Sequence, residues 1–369
     1  MTTAETPSLT SALHKLLARA IAQAGGWLPF DRFMALALYA PGLGYYANDL
    51  RKFGTMPHGL KGGGSDFVTA PELSPLFGRA LAVQVGQALD ATGTREIWEF
   101  GAGSGALALQ LLDALGDAAT SYTIVELSAV LRERQQAALA AHAGKVRWVS
   151  ELPAALHGVV VGNEVLDAMP VKLLMRTRGV WHERGVVWHD DRPVFADTPT
   201  ALRPPLDVPG PHDYLTEIHP QAEAFMRTLA DRLKTGAAFL IDYGFAESEY
   251  YHPQRHMGTL MCHRGHQADG DPLSDVGHKD ITAHVNFTGV ALAAQEAGLP
   301  TLGYTTQARF LMNCGLVGLL ESASAAERAL ALKLMAEHEM GELFKVIALS
   351  PQADFEPLGF AQGDRSHTL

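Results

Sequence analysis

The sequence predicts an α/β fold built on a doubly wound, mainly parallel sheet, and three observations carry that prediction. Strand-like apolar runs alternate with helical ones from residue 75 to about 245. The first clear strand, Ile97 to Phe100, breaks into glycines 101, 103 and 105 and resumes as a helix from Ala106, which is how a strand turns under a nucleotide-like ligand. An acidic residue, Glu126, ends the next strand 25 positions after Gly101, where a carboxylate accepts hydrogen bonds from ribose hydroxyls in such sheets.

The elements follow in order. Leu9, Leu13, Leu16, Leu17, Ala20 and Ile21 share one face of a helix over residues 8 to 24, with Ser8 placed to cap it. Phe30 to Tyr39 is a second helical run, and residues 47 to 66, with HGLKGGGSDF, form a glycine-rich loop expected to be mobile. Ser74-Pro75 opens a helix beside the first strand. Tyr122 to Val125 is the second strand and a helix follows Glu126; KVRWVSEL (145–152) gives the third strand and GVVVGNEVLDAMP (158–170) the fourth. Short β-prone runs punctuated by Arg-Gly and Asp-Arg-Pro (171–198) read as an antiparallel meander inserted before the fifth strand, GAAFLIDYG (236–244), which a helix from Pro220 to Lys234 precedes. After a long loop come a helix at 287–298, a sixth strand at 301–311, a helical stretch at 316–338 and a last strand at 341–350 that pairs with the sixth. The chain thus divides into an N-terminal helical and lid segment, 1–74, and a sheet domain, 75–369, with the β meander at 171–215 and a loop and helical substrate region at 245–295.

Composition narrows the function. With 369 residues, 47% hydrophobic and 19% charged, the chain can bury a large core. A net charge of -11 argues against broad nucleic-acid binding and favours a cationic protein partner. Two cysteines, Cys262 and Cys314, suggest a reducing compartment, and neither a leader pattern nor an apolar run of spanning length is present. A cytoplasmic protein is expected, inserted in no membrane, and the polar tail after the last strand suits a monomer or a homodimer.

Glu99 stands inside the first strand, where a buried sheet would place an apolar residue, so it invites a functional reason. The loop alone leaves open a nicotinamide dinucleotide or another adenosine-bearing cofactor, because Gly101, Gly103 and Ala106 also satisfy the looser dinucleotide pattern.

The blocks beyond the loop carry a resemblance. Ile97 to Gly105 is similar to the acid-x-Gly-x-Gly-x-Gly signature of seven-stranded class I S-adenosylmethionine-dependent methyltransferases. Ser65-Asp66-Phe67-Val68-Thr69-Ala70-Pro71-Glu72 and Asn163-Glu164-Val165-Leu166-Asp167-Ala168-Met169-Pro170 resemble blocks of the MidA family, whose mitochondrial members assist assembly of respiratory complex I. The likeness continues through Glu217–Pro220, Ile241–Gly244, Gly258–Leu260, Asp271–Leu273 and Asp280–Val285. Two positions depart from the family pattern: Ser65 stands where glycine is usual, and Asn286 where an acidic residue usually follows His-Val.

The resemblance implies a Rossmann-like class I methyltransferase sheet with S-adenosyl-L-methionine at the strand ends. It places Gly101, Ala102 and Gly103 at the methionyl part and Glu126 at the ribose. Leu127-Ser128 and Ser150-Glu151-Leu152 lie at the adenine, and Asn163 beside the sulfonium. Thr69, Pro71 and Glu72, which precede the sheet and follow the glycine-rich loop, are placed to close over the site as a lid; alternatively, Ser74-Pro75 merely begins a helix that packs beside the first strand. The resemblance also implies a protein substrate methylated on arginine. Glu164 and Asp167, three apart, would share a face if the block formed one helical turn, and their carboxylates would orient the guanidinium; alternatively, Asp167 stabilises a helix start before Pro170. Asp242, Tyr243 and Gly244 end the fifth strand, where site residues also collect. His256, Cys262, His263, His266, His278 and His284 lack any paired ligand spacing, so no metal is expected. Two rival readings remain: an NAD-dependent oxidoreductase, for which no substrate base is evident, and a cofactor-binding assembly factor without turnover.

Overall fold

Seven strands make the larger sheet among the described residues: β1 Glu96–Phe100, β2 Ser121–Val125, β3 Val146–Val149, β4 Leu156–Asn163, β5 Leu233–Phe245, β6 Thr301–Thr306 and β7 Phe344–Leu349. The computed structural model describes residues 9–48, 69–265, 267–352 and 355–369; the glycine-rich loop expected to be mobile falls almost wholly outside them, as do Ser65 to Val68. The strands run β3-β2-β1-β4-β5-β7-β6, with the short Val285–Asn286 segment added to the end of β5. The first five are parallel, and β7 lies antiparallel between β5 and β6. This is the expected doubly wound sheet with its late antiparallel pair.

Register places the site. Phe100 lies level with Val125 on one side and Gly162 on the other, and Asn163 lies level with Ile241. The next residues along these strands, Gly101, Glu126 and Asn163, therefore emerge together at the carboxyl edge, with Asp242 one step beyond Ile241. The central strands are apolar on both faces, as a covered parallel sheet requires: Val159, Val160, Val161, Phe239 and Ile241 are all buried. Helices Pro75–Thr92 and Ala106–Leu115 bury Phe77, Leu81, Val85, Leu107 and Leu111 in the core that this sheet shares. The first opens as expected, with Ser74 Oγ accepting from the Leu76 N–H and Pro75 at the first position.

Two expectations need correction in this part. The run 301–311 is strand only to Thr306; Gln307–Asn313 is a helix, because the Thr306 hydroxyl takes the Arg309 N–H and caps it. The stretch 316–338 is two helices, Leu316–Ser322 and Ala325–Met335, separated where Ser324 and Glu327 form a capping box.

The chain forms two compact units, and they cut it differently from the segments read in chain order. One unit is Phe53–Asp167, Ala222–Glu247 and Val285–Leu369, which holds the sheet above; the other is Met1–Lys52, Ala168–Gln221 and Ser248–His284. In the second unit the meander is present as Lys172–Thr177, Val180–His189 and Arg192–Pro199. It is widened by Leu28–Pro29 on one side and Tyr214–Ile218 on the other. Helices Leu9–Gln23 and Phe30–Tyr39 set Leu13, Leu17, Ile21, Phe33 and Met34 into a core with Leu173 and Val186. The long loop also holds more order than expected, a three-stranded sheet of Met261–Arg264, Gln267–Asp269 and Asp280–Thr282. Among the described residues no helix is long and apolar enough to cross a membrane.

Candidate functional site

Where β1 ends, Gly101, Gly103 and Gly105 all take positive φ, 64°, 52° and 84°, a region that favours glycine. A Cβ on Gly101 would stand 2.9 Å from Val165 Cγ2, so any side chain there fills the turn. The next helix begins at Ala106 with its unpaired N–H groups at this loop. Gln135, fully buried, ties the loop to its surroundings: its amide Nε2 donates to Gly103 O at 3.0 Å and to Glu126 Oε2 at 3.0 Å, while its Oε1 accepts from Trp148 Nε1 at 2.9 Å. Glu126 Oε1 accepts the Ser128 N–H at 2.8 Å. Each of its oxygens thus has one partner and one remaining lone pair. Leu127, beside it, is 79% exposed; Ser150 and Glu151 are exposed and Leu152 half-buried at the end of β3.

Beyond β4 the block does not form the expected helical turn. Glu164 takes φ 54° and its N–H donates to Ile241 O at 2.9 Å, after which residues 165–169 make a turn without a helix. Asp167 therefore caps no helix. Asp242, 1% exposed, organises the turn instead: its Oδ2 accepts from the N–H groups of Val165, Leu166 and Asp167 at 3.1, 2.9 and 3.2 Å, and its Oδ1 from the Tyr243 N–H at 2.9 Å. The Tyr243 hydroxyl donates to Asp167 Oδ2. Asn163 Nδ2 donates to Glu164 Oε1 at 2.9 Å.

Carboxyls crowd this place. Burial, and then the Asp167 carboxylate, push Glu164 up to about 8, against the hydrogen bonds from Asn163 and the Ala70 N–H. Burial likewise raises Asp242, helped by Asp167 and Glu164. Glu72, on the short helix Ala70–Leu73, is raised by burial while the Ser104 hydroxyl and Thr69 N–H oppose the shift. That helix is tied down, since Gln110 Nε2 donates to Pro71 O at 2.7 Å and Gln110 Oε1 accepts the Gly78 N–H at 2.9 Å. Glu99 is buried in β1 with Tyr122 Oη donating at 2.8 Å, and burial pushes it up to about 8.

A family model described as S-adenosyl-L-methionine-dependent methyltransferase matches residues 80–305. The chain belongs to this family. A solved superfamily member from Burkholderia thailandensis, bound to S-adenosyl-homocysteine, is 49% identical with all of both chains covered and a TM-score of 0.92. Among curated proteins, the mitochondrial protein arginine methyltransferase NDUFAF7 of Danio rerio is 27% identical over 93% of this chain and 87% of its own. The Xenopus tropicalis counterpart is 28% identical over 89% and 83%. The resemblance to MidA-type class I methyltransferases is thereby established, and with it the activity and the cofactor, S-adenosyl-L-methionine.

The residues fit that cofactor. The glycine loop leaves room for a ligand at a helix N-terminus, and two buried side-chain acceptors in this cluster, Asn163 Oδ1 and Glu72 Oε2, have no hydrogen-bond partner among the described residues. Gly101, Ala102, Gly103, Glu126, Leu127, Ser128, Asn163 and Glu164 all stand at the carboxyl ends of adjacent strands of one unit, with Thr69 and Pro71 leading into the helix that bears Glu72. Gln135 is the residue the sequence did not disclose, and Asp242 and Tyr243, expected at a site-bearing strand end, gain their partners only in the fold. Asn286, the departure from the family pattern, caps helix Phe287–Glu296 by accepting the Gly289 N–H and also hydrogen-bonds Glu247. An acid there would face Glu247 with like charge. In the other unit, His256, Cys262, His263, His278 and His284 form no metal site: among the described residues no group of three His, Cys, Asp or Glu is placed to hold an ion, and His266 lies outside them. Burial pushes the Cys262 thiol up to about 12.

Proposed function

We propose that this methyltransferase acts on an arginine side chain of a protein partner, and that Glu164 is the residue that receives it. The observation that carries the proposal is the carboxyl cluster at the ends of β4 and β5. Glu164, Asp167, Asp242 and Glu72 meet there, each of the buried acids bearing on its neighbours. Such a cluster suits a cation, and the guanidinium is a planar one that carboxylates bind through two parallel hydrogen bonds. The curated relatives, named protein arginine methyltransferases, support the same acceptor.

S-adenosylmethionine, when bound, supplies an electrophilic methyl group on a sulfonium. The chain's part is to hold and deprotonate. Gly101, Ala102 and Gly103 would seat the methionyl portion; Glu126 has lone pairs for the ribose hydroxyls; Leu127, Ser128, Glu151 and Leu152 would flank the adenine; Asn163 Oδ1, with Thr69 and Pro71 alongside, would close the donor side. Glu164 would bind the guanidinium and fix one nitrogen for in-line attack. Methylation leaves that nitrogen with a proton to lose, and a carboxylate whose pKa is raised toward 8 takes it better than an ordinary one. An incoming guanidinium favours ionised Glu164, so acceptor binding strengthens as pH rises toward 8.

The test is Glu164→Gln, assayed with tritiated S-adenosylmethionine on a protein extract from host cells lacking this chain, with acid hydrolysis to identify methylarginine. The rate should fall about 10²-fold and lose its rise with pH, while S-adenosylhomocysteine still binds. Transfer at the parental rate, or label in another amino acid, sinks the proposal; partner binding without any transfer would favour an assembly factor.

A further inference from the structure

We infer that Asp242 and Tyr243 are positioning residues for methyl transfer, acting through the turn that carries Glu164 and Asp167. The inference rests on the reading of Glu164 given above and extends it to the neighbouring strand. β5 contributes neither residue to the turn in sequence, yet its end determines the turn's shape. One carboxylate oxygen of Asp242 collects three consecutive N–H groups, Val165, Leu166 and Asp167, and its other oxygen takes the Tyr243 N–H. Three consecutive N–H groups converge on a single atom only when the chain doubles back tightly around it. That doubling back follows directly from Glu164 at φ 54°, which is anchored to the same strand by its own N–H on Ile241 O. A positive φ at a non-glycine residue costs of order 1–3 kcal/mol and persists where its surroundings over-determine it. Here four backbone donors and one carboxylate do so.

The same arrangement distributes charge. Asp242 meets N–H donors on both oxygens, and these oppose the rise that burial, Asp167 and Glu164 impose on it. Tyr243 Oη donates to Asp167 Oδ2 and so fixes the carboxyl that bears most on Glu164 after burial. Glu164 is the member of the cluster that the proposed function sets against the acceptor. The groups that face it are Asp167, Asp242 and Glu72, together with the Asn163 amide and the Ala70 N–H. Asp242 and Tyr243 thus set both where the Glu164 carboxyl stands and when it is charged, without touching the acceptor.

The experiment compares Asp242→Asn and Tyr243→Phe with the parent and with Glu164→Gln. Each is first titrated with S-adenosylhomocysteine, then assayed with tritiated S-adenosylmethionine and the same protein extract from pH 6 to 9. Asp242→Asn keeps an oxygen for the turn but sets an amide N–H against the Tyr243 N–H; Tyr243→Phe removes one hydroxyl at the surface of the cluster. Expected are S-adenosylhomocysteine affinities within about threefold of the parent and kcat lowered about 10-fold or more, since a displacement near 1 Å costs on the order of 10²-fold. The pH profile of both variants should also shift relative to the parent. Should Asp242→Asn not fold, Tyr243→Phe decides alone. A variant that binds S-adenosylhomocysteine like the parent and keeps the parental kcat and pH profile overturns the inference. If Glu164→Gln is impaired while these two are not, the inference fails and the role of Glu164 stands; if Glu164→Gln is itself unimpaired, the reading of the acceptor site fails first.

Discussion

Replacing Glu99 by Gln should stabilise the protein, and by an amount that depends on pH. Glu99 lies in β1 between strands, 2% exposed, with Tyr122 Oη as its donor, and burial moves it from 4.5 to about 8. The unfolded chain releases that proton near pH 4.5, while the fold retains it to about pH 8. Between those values the folded state binds the extra proton, so stability falls as pH rises. At about 1.36 kcal/mol per pH unit the loss reaches about 5 kcal/mol at pH 8 and is absent below pH 4.5. Gln reproduces the protonated acid, one acceptor for Tyr122 and one donor, and does not titrate. The other buried carboxyls titrate in both proteins and cancel in the difference. Melting of the cofactor-free pair should therefore diverge from within about 2 °C at pH 5 to roughly 10 °C or more at pH 8, with Gln the higher. A difference that does not change with pH, or a less stable Gln variant at pH 8, would mean that Glu99 is ionised in the fold and that burial is not its governing condition.

Three further substitutions probe the cradle and its rim. Gly101→Val puts a β-branched side chain at φ 64° with its Cβ 2.9 Å from Val165; it should cost about 2–4 kcal/mol and abolish S-adenosylhomocysteine binding by calorimetry, and retained affinity would contradict the placement of the loop. Gln135→Leu strips Gly103 O and Glu126 of a shared donor and Trp148 of its acceptor. We expect a loss of about 3 kcal/mol in urea unfolding and a clear drop in S-adenosylhomocysteine affinity; an unaltered affinity would show that the loop holds its shape without the amide. Asn286→Asp keeps the cap on Gly289 but sets a carboxylate against Glu247, whose pKa is already raised by burial despite the Asn286 hydrogen bond. It should cost about 1 kcal/mol above pH 6 and little below pH 4, read as a melting difference that closes on acidification; a difference that persists in acid would mean the cap, not charge, is what changed.

The parts of this fold that were legible in the sequence are those governed by local chemistry. The valine run Val159 to Val161 could only be a covered strand, Ser74-Pro75 could open a helix, and three glycines after a strand announced a turn that side chains would block. The same holds for Glu126, whose distance from Gly101 follows from the length of one helix and two strand ends. Elsewhere the deciding contact was remote. Tyr214–Ile218 reads as one more short apolar run until it pairs with Lys172–Thr177, and the Thr306 cap competes with β-propensity in its own segment.

The carboxyl cluster shows why that division matters for function. Glu164 and Asp167 were visible as acids three apart, and a helical turn was the natural way to bring them to one face. The chain brings them together by another route, with Glu164 in a left-handed conformation and one Asp242 oxygen gathering the Val165, Leu166 and Asp167 N–H groups. Without this turn the buried Asp242 Oδ2 would lose three donors, and an unsatisfied buried acceptor costs about 1–3 kcal/mol. The turn and the buried aspartate therefore require one another. Neither is readable from its own stretch of sequence, because each supplies what the other lacks, and the acid they set in place, Glu164, is the one proposed to meet a guanidinium.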